Sequence, residues 1–227
     1  SGMLKPGMRC LVVDVGGGTS DFSLIRVGEE KGEATFVRDA VGDHLLLGGD
    51  NMDLALAKAV EAKLPGGRLD AAQFGSLVQA CRAAKEALLA TPPPPSFPVT
   101  VMGKGRSVVG GTVSVSITPD DVKAALFDGF FPATPFDAEP SKGARTGLQE
   151  MGLPSVSDPA VSKPLAAFVR RHLHDFEGSA PAGSGTVDAI LFNGGVFQPE
   201  VVRERVIEGM RPWFAAEGKG WGPRVLT

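Results

Sequence analysis

The chain of 227 residues carries only two cysteines and three histidines. Cys10 and Cys81 both sit inside apolar patterns, so two buried free thiols in a reducing cytoplasm are expected rather than a disulfide framework. No Cys/His spacing resembles a zinc site, and His44, His172 and His174 form no metal-ligand motif. Every apolar run is far shorter than the roughly 20 residues a bilayer crossing needs, so no membrane partner is expected. The start, Ser1-Gly2-Met3, lacks the basic and apolar regions of a signal peptide. Ser1-Gly2 instead reads as the scar of a removed tag, on a piece of a longer protein. Cations are not in excess: 23 Lys and Arg face 26 Asp and Glu, for a net charge of −3. A nucleic-acid partner is not expected, because neutralising phosphates needs clustered Lys and Arg. No long run of like charges marks an interaction tail.

What is present is the composition of an ordinary globular protein, 43% hydrophobic, with length for one large domain or two small ones. Residues 10–15 are a short apolar, β-branched run and read as a buried strand; 21–27 alternate and read as a second, and 34–41 as a third. The glycines between the first two make them a hairpin. Residues 51–63 carry good helix formers. Asp70 is placed to cap a further helix whose apolar positions are Phe74, Leu77, Val78, Cys81, Ala84 and Leu88. Pro92 to Pro95 ends it, and 98–102 with 107–117 read as a hairpin of exposed strands. Thr118-Pro119 opens a helix to about Phe127, with a Thr cap and Pro at the first helical position. Residues 130–157 read as a long loop with one helical turn near Leu148. A helix starts at Asp158-Pro159 with Val161, Leu165, Phe168, Val169 and Leu173 on one face. A linker covers 177–185, a strand 187–192 and a helix 199–210. This order points to a mixed α/β protein.

The chemistry-bearing segment is Asp14-Val15-Gly16-Gly17-Gly18-Thr19-Ser20-Asp21. A strand delivers Asp14 to the mouth of a turn, and three glycines leave backbone N–H groups free to approach an anion. Thr19 adds a hydroxyl, and Asp21 opens the returning strand at the same mouth. Two carboxylates beside a phosphate would repel it unless a cation sits between them. Magnesium, held largely through water, suits that arrangement, and either carboxylate can orient or deprotonate a water.

The D-x-G-G-G-T-x-D pattern resembles the second phosphate loop of the actin-like ATPase superfamily. Further stretches resemble its heat shock protein 70 (DnaK-like) branch. Gly48-Gly49-Asp50-Asn51-Met52-Asp53 resembles a GG-acid-x-x-D segment opening a helix. Residues 81–89 resemble the helix that sets charged side chains over adenine, Ile117-Thr118-Pro119 the step back into the main domain, and Ile190 to Gly195 the loop under the nucleoside. These come in family order over about residues 8 to 208. The chain departs from the pattern at Arg82, where the family has an acid, at Glu86, where it has a stacking arginine, and at Leu89, where it has a serine. Val196-Phe197-Gln198-Pro199 is shorter than the family's S-T-R-I-P. Lys85 and Glu86 are either a nucleotide contact or a solvated helix face. Residues 130–153 resemble a divergent bacterial branch; their aromatics either mark a partner site or pin the loop to the domain surface.

The resemblance implies an α/β, ribonuclease-H-like half of an actin-like ATPase domain. A larger lobe would comprise 1–47 and 118–227, with a smaller α+β lobe, 48–117, inserted. ATP or ADP and magnesium are the implied cofactors. Asp14 and Asp21 would serve magnesium and water, and Gly16, Gly17, Gly18 and Thr19 the phosphates. Gly48, Gly49, Lys85, Gly194 and Gly195 would serve the rest of the nucleotide. The first phosphate loop, its D-x-G-T-T pattern and the catalytic lysine belong to an N-terminal half that is absent, and the sequence stops before the family's D-E-A-x-A-x-G-A helix. The full-length parent is expected to be a cytoplasmic chaperone ATPase with cochaperone and client partners. This part alone is expected to be inactive. A regulatory or scaffold relative that has lost turnover, and a sugar or acetate kinase of the same superfamily, are the rival readings.

Overall fold

The computed structural model describes residues 4–64, 68–102, 111–140, 159–174, 186–217 and 220–226. Its centre is a five-stranded sheet in the order β3-β2-β1-β6-β7, formed by β1 (Arg9–Val15), β2 (Ser20–Glu30), β3 (Glu33–Val41), β6 (Ala189–Asn193) and β7 (Arg224–Leu226). The β1, β2 and β3 neighbours are antiparallel, whereas β6 runs parallel to β1, and β7 to β6. The mixed sheet with helices makes this an α/β protein.

Pleating sorts the side chains. Leu11, Val13 and Val15 of β1 lie opposite Leu24, Phe22 and Ser20 of β2 and are fully buried. Ile190 and Phe192 of β6 continue that apolar face. It packs on helices α4 (Ser162–His174) and α5 (Glu200–Met210), with Phe22 against Phe168 at 6.0 Å between ring centroids. Leu165, Val169, Val202, Val206 and Met210 are buried there too, at helical spacing. Helix α4 begins at Ser162, later than the Asp158-Pro159 signal, and Asp158 lies outside the described residues.

Between β3 and α4 stand α1 (Gly49–Glu61), α2 (Ala71–Leu88), the hairpin β4 (Phe97–Met102) and β5 (Thr112–Ile117), and α3 (Pro119–Lys123). Asp70 caps α2 reciprocally with Gln73: each side chain takes the other's backbone N–H. The hairpin is not exposed on both faces. Val99 and Val101 are buried while Thr100 and Met102 face out, because β4 packs against α2 on one side. The expected strand residues 107–110 lie outside the described residues, as do the turn near Leu148 and the linker 177–185. Cys10 and Cys81 are buried free thiols, as read from the sequence.

Residues 131–140 are irregular, as expected of the loop, and the aromatics at its start pin it to the domain. Residues 124–128 form a wide π turn, and Phe130 and Phe131 are buried. Arg205 Nε donates to the Phe131 carbonyl, Trp213 Nε1 to Thr134, and Arg170 Nη1 to Phe136. These donors satisfy a backbone that has no ladder of its own, so residues 130–136 are fastened between α4 and the segment after α5. That segment, a 3-10 stretch over Arg211–Glu217, and strand β7 carried no periodic signal that marked them in the sequence. Among the described residues no helix is long and apolar enough to cross a membrane.

Thr118 and Asp121 form the cap of α3, and Lys63 Nζ reaches Asp121 Oδ1 at 2.5 Å. The Lys63 ammonium, then the Thr118 donors, hold the Asp121 carboxyl down at about 2. A carboxyl depressed in the folded state adds stability above its ordinary value near 3.8 and loses it as pH falls toward 2. Asp121→Ala is therefore expected to lower stability by about 1 kcal/mol at neutral pH and to flatten the acid limb between pH ~4 and ~2. Urea melts across that range check this; an unchanged acid limb counts against it.

Candidate functional site

The glycine loop between β1 and β2 is held by what comes after β3. Leu45 pairs with Ser20 through both backbone hydrogen bonds, and Ser20 Oγ donates to the Leu47 carbonyl at 2.6 Å. This delivers Gly48 and Gly49 onto the loop. Gly49 N donates to the Gly16 carbonyl at 2.9 Å and Asp50 N to Gly17 at 2.8 Å. The first N–H groups of α1, which have no intrahelical acceptor, thus take the loop carbonyls. Asn51 Oδ1 accepts from Gly48 N and completes the helix start, two residues earlier than expected. The approach requires glycine: a Cβ on Gly48 would lie 2.5 Å from the Gly17 carbonyl oxygen.

One consequence is set by peptide geometry. In a trans peptide C=O and N–H point to opposite sides. With the carbonyls of Gly16 and Gly17 turned toward α1, the N–H groups of Gly17 and Gly18 turn away from it. Among the described residues no protein acceptor takes either one. Gly17 and Gly18 are exposed, and a Cβ on Gly18 would meet nothing within 4 Å. The loop therefore presents outward donors of the kind that cradle an anion.

Asp14 and Asp21 are cross-strand partners, and Asn193 of β6 lies opposite Asp14 on its other side. All three project from the sheet face away from α4 and α5, in a row across β6, β1 and β2, with partners about 5 Å apart at Cβ. Asn193 Nδ2 donates to Asp14 Oδ2 at 2.7 Å, and His44 Nδ1 lies 2.6 Å from Asp21 Oδ1. Among the described residues no donor reaches Asp14 Oδ1 or Asp21 Oδ2, so each acid keeps an oxygen open. No group of three or more His, Cys, Asp or Glu converges as a metal cage among the described residues. Two half-open carboxylates suit a hard cation that keeps most of its waters.

On the other side of the loop is a cavity of about 330 Å³. Gly16, Gly17 and Gly49 form one end. Asp50, Met52 and Asp53 of α1, Arg82, Lys85 and Glu86 of α2 with Leu89 just after it, Leu126, and Gly195, Val196, Gln198, Pro199 and Val202 leading into α5 form the rest. Lys85 and Glu86 part company here. The Lys85 side chain is 13% exposed, with Nζ 2.5 Å from Asp53 Oδ1 and 3.5 Å from the Gly49 carbonyl. Glu86 is 66% exposed and pairs with Arg82. So Lys85 is no solvated helix face, and Glu86 is. Asp53 Oδ1 lacks an aligned hydrogen-bond donor, so its contact with Lys85 is an ion pair off the hydrogen-bonding direction. Burial pushes the Asp53 carboxyl up and outweighs Lys85, which pulls it down. Burial, and then the Asp53 charge, push the Cys81 thiol up to about 12, so that cysteine is inert.

The sequence-predicted residues thus fall into two adjoining sets. Gly16, Gly17, Gly49, Lys85 and Gly195 line the cavity; Asp14 and Asp21 stand on the sheet face beyond the loop. Gly18 and Thr19 lie in the loop between. Gly48 and Gly194 line neither set and act as close-contact points, Gly194 against the Val15 carbonyl at φ +90°. Sequence reasoning missed His44, Asn193 and the buried role of Asp53. Asn193 had a usable signal, its place at the end of a strand beside Gly194-Gly195; His44 had none, because the pairing of Leu45 with Ser20 brings it in.

No protein-family profile matches the chain. Over 78 residues it is 35% identical to a chaperone protein HscA homolog from Acinetobacter baylyi. The match covers 34% of this chain and 12% of that protein's length. This partial likeness supports a relation to heat shock protein 70 chaperones over that stretch, and reaches no further along either chain.

Proposed function

We propose that the chain is the C-terminal, nucleotide-binding half of a DnaK-like chaperone ATPase domain, with a ribonuclease-H-like larger lobe and residues 48–117 as the inserted lobe. One observation carries the reading. The start of α1 takes the carbonyls of Gly16 and Gly17, which turns the opposite N–H groups outward between the cavity and the Asp14/Asp21 pair. Phosphates rest on that loop, the nucleoside lies in the cavity, and Asp14 and Asp21 hold a magnesium ion through water. Bound magnesium would neutralise phosphate charge and polarise a water. Asn193 and His44 hold the two carboxylates in place. In the parent, closure of a second half over this surface completes the clamp, and ATP hydrolysis is coupled to that closure in a cytoplasmic chaperone with cochaperones and clients.

One face of a clamp positions only one side of the ligand, so binding here is expected to be weak, on the order of millimolar, without turnover. Amide NMR shifts at 16–19 on adding magnesium ADP, at least tenfold weaker with a chelator or in Asp14→Asn, are the expected result. Equal binding with and without magnesium, or no shift at millimolar nucleotide, sinks the reading.

A further inference from the structure

Two peptide units lie between Lys85 and the outward face of the glycine loop. Lys85 Nζ is 3.5 Å from the Gly49 carbonyl oxygen in the cavity wall. That carbonyl shares its peptide with the Asp50 N–H, which donates to the Gly17 carbonyl at 2.8 Å. The Gly17 carbonyl shares its peptide with the outward Gly18 N–H. In trans peptides these dipoles line up head to tail, from the ammonium to the open donor. The Gly17 N–H ends a different row. Its peptide carbonyl, Gly16, accepts from Gly49 N at 2.9 Å, and the Gly48 carbonyl behind that accepts from Asn51 N at 3.1 Å. That row runs into the first turn of α1 and bypasses Lys85.

We propose that Lys85 is a positioning residue that acts through the backbone: it polarises the Gly49 and Gly17 peptides in turn and makes the Gly18 N–H a stronger anion donor. The inference deepens the phosphate-cradle reading above and rests on it. A cation at a carbonyl draws electron density to the oxygen and leaves the N–H across the peptide more positive. Each hydrogen bond in such a row strengthens the next by roughly 10–30%. Burial makes the effect count: the Lys85 side chain is 13% exposed, so water screens little of its field. Asp53, 2.5 Å from Nζ, holds the ammonium in place and offsets part of its charge. The 3.5 Å contact is at the long limit of a hydrogen bond, so the gain is a small factor in affinity rather than orders of magnitude.

The probe is inorganic triphosphate with magnesium, which has neither sugar nor base to fill the cavity. The variant is Lys85→Met with Asp53→Asn in the whole chain. It removes the buried pair together, keeps the net charge and strands no carboxylate. Before any anion is added, the Asp50 and Gly18 amide protons are expected to move upfield in the variant while Gly17 stays in place. Triphosphate affinity, followed by NMR at the Gly18 amide, is expected to fall about twofold to threefold. In the unaltered chain the Gly49 carbonyl carbon should move along the same titration curve as Gly18, a readout that needs no variant to fold. Equal affinity in the variant, Gly17 moving as far as Gly18, or a silent Gly49 carbon overturns the inference and leaves the cradle standing. No shift at Gly17 or Gly18 of the unaltered chain at millimolar magnesium triphosphate overturns the cradle and this inference with it.

Discussion

Gly194→Ala is expected to cost the fold about 3 kcal/mol or more, a large share of the 5 to 15 kcal/mol that holds a typical domain. Two effects combine. The residue sits at φ +90°, where an L side chain is strained. Its Cβ would also fall on the Val15 carbonyl. That carbonyl cannot yield, because β1 is the middle strand, paired with β2 on one side and β6 on the other. Moving β6 instead would carry Ile190 and Phe192 out of the core. A thermal or urea melt reads the loss directly. A melting temperature within two or three degrees of the parent chain would show that the β1–β6 approach is looser than described.

Lys85→Met is expected to have an effect of similar size with a different pH signature. The substitution keeps the side-chain volume and removes the cation beside Asp53, which is 3% exposed. Leaving one member of a buried pair without the other typically costs about 3 to 5 kcal/mol. Burial already raises the Asp53 carboxyl, and Lys85 is the largest influence pulling it back. Without Lys85 it rises further. A folded state that binds the proton more tightly than the unfolded chain is favoured at low pH, below the ordinary value near 3.8, and loses stability as pH climbs through the raised value. The deficit should therefore be small in acid and full at neutral pH. Adding Asp53→Asn should recover most of it, since a neutral amide needs no counter-charge. A deficit that does not vary with pH, or no recovery in the double variant, would place the loss in packing rather than in the stranded carboxylate.

Local periodicity made most elements readable. The apolar run of 10–15 followed from its place as a central strand, the alternation of 21–27 from one buried and one more open sheet face, and the apolar spacing of α2 from its packing on α1 and β4. Thr118-Pro119 and Asp70 marked helix starts because a cap is a contact between residues three apart. Boundaries slipped where distant parts supplied the missing partner. Helix α1 starts at Gly49 because the glycine loop, about thirty residues earlier, accepts its first N–H groups.

The candidate site divides in the same way. The sequence by itself determined the glycine turn and the two aspartates facing each other across it, since strand, turn and strand are local and a period of two puts opposite residues on one face. Tertiary structure alone decided that Lys85 answers Asp53 rather than solvent, that His44 and Asn193 hold the acids, and that Phe130 and Phe131 are buried. Each of these joins residues far apart in the chain, and such contacts form only when burial of the shared core sets the elements side by side.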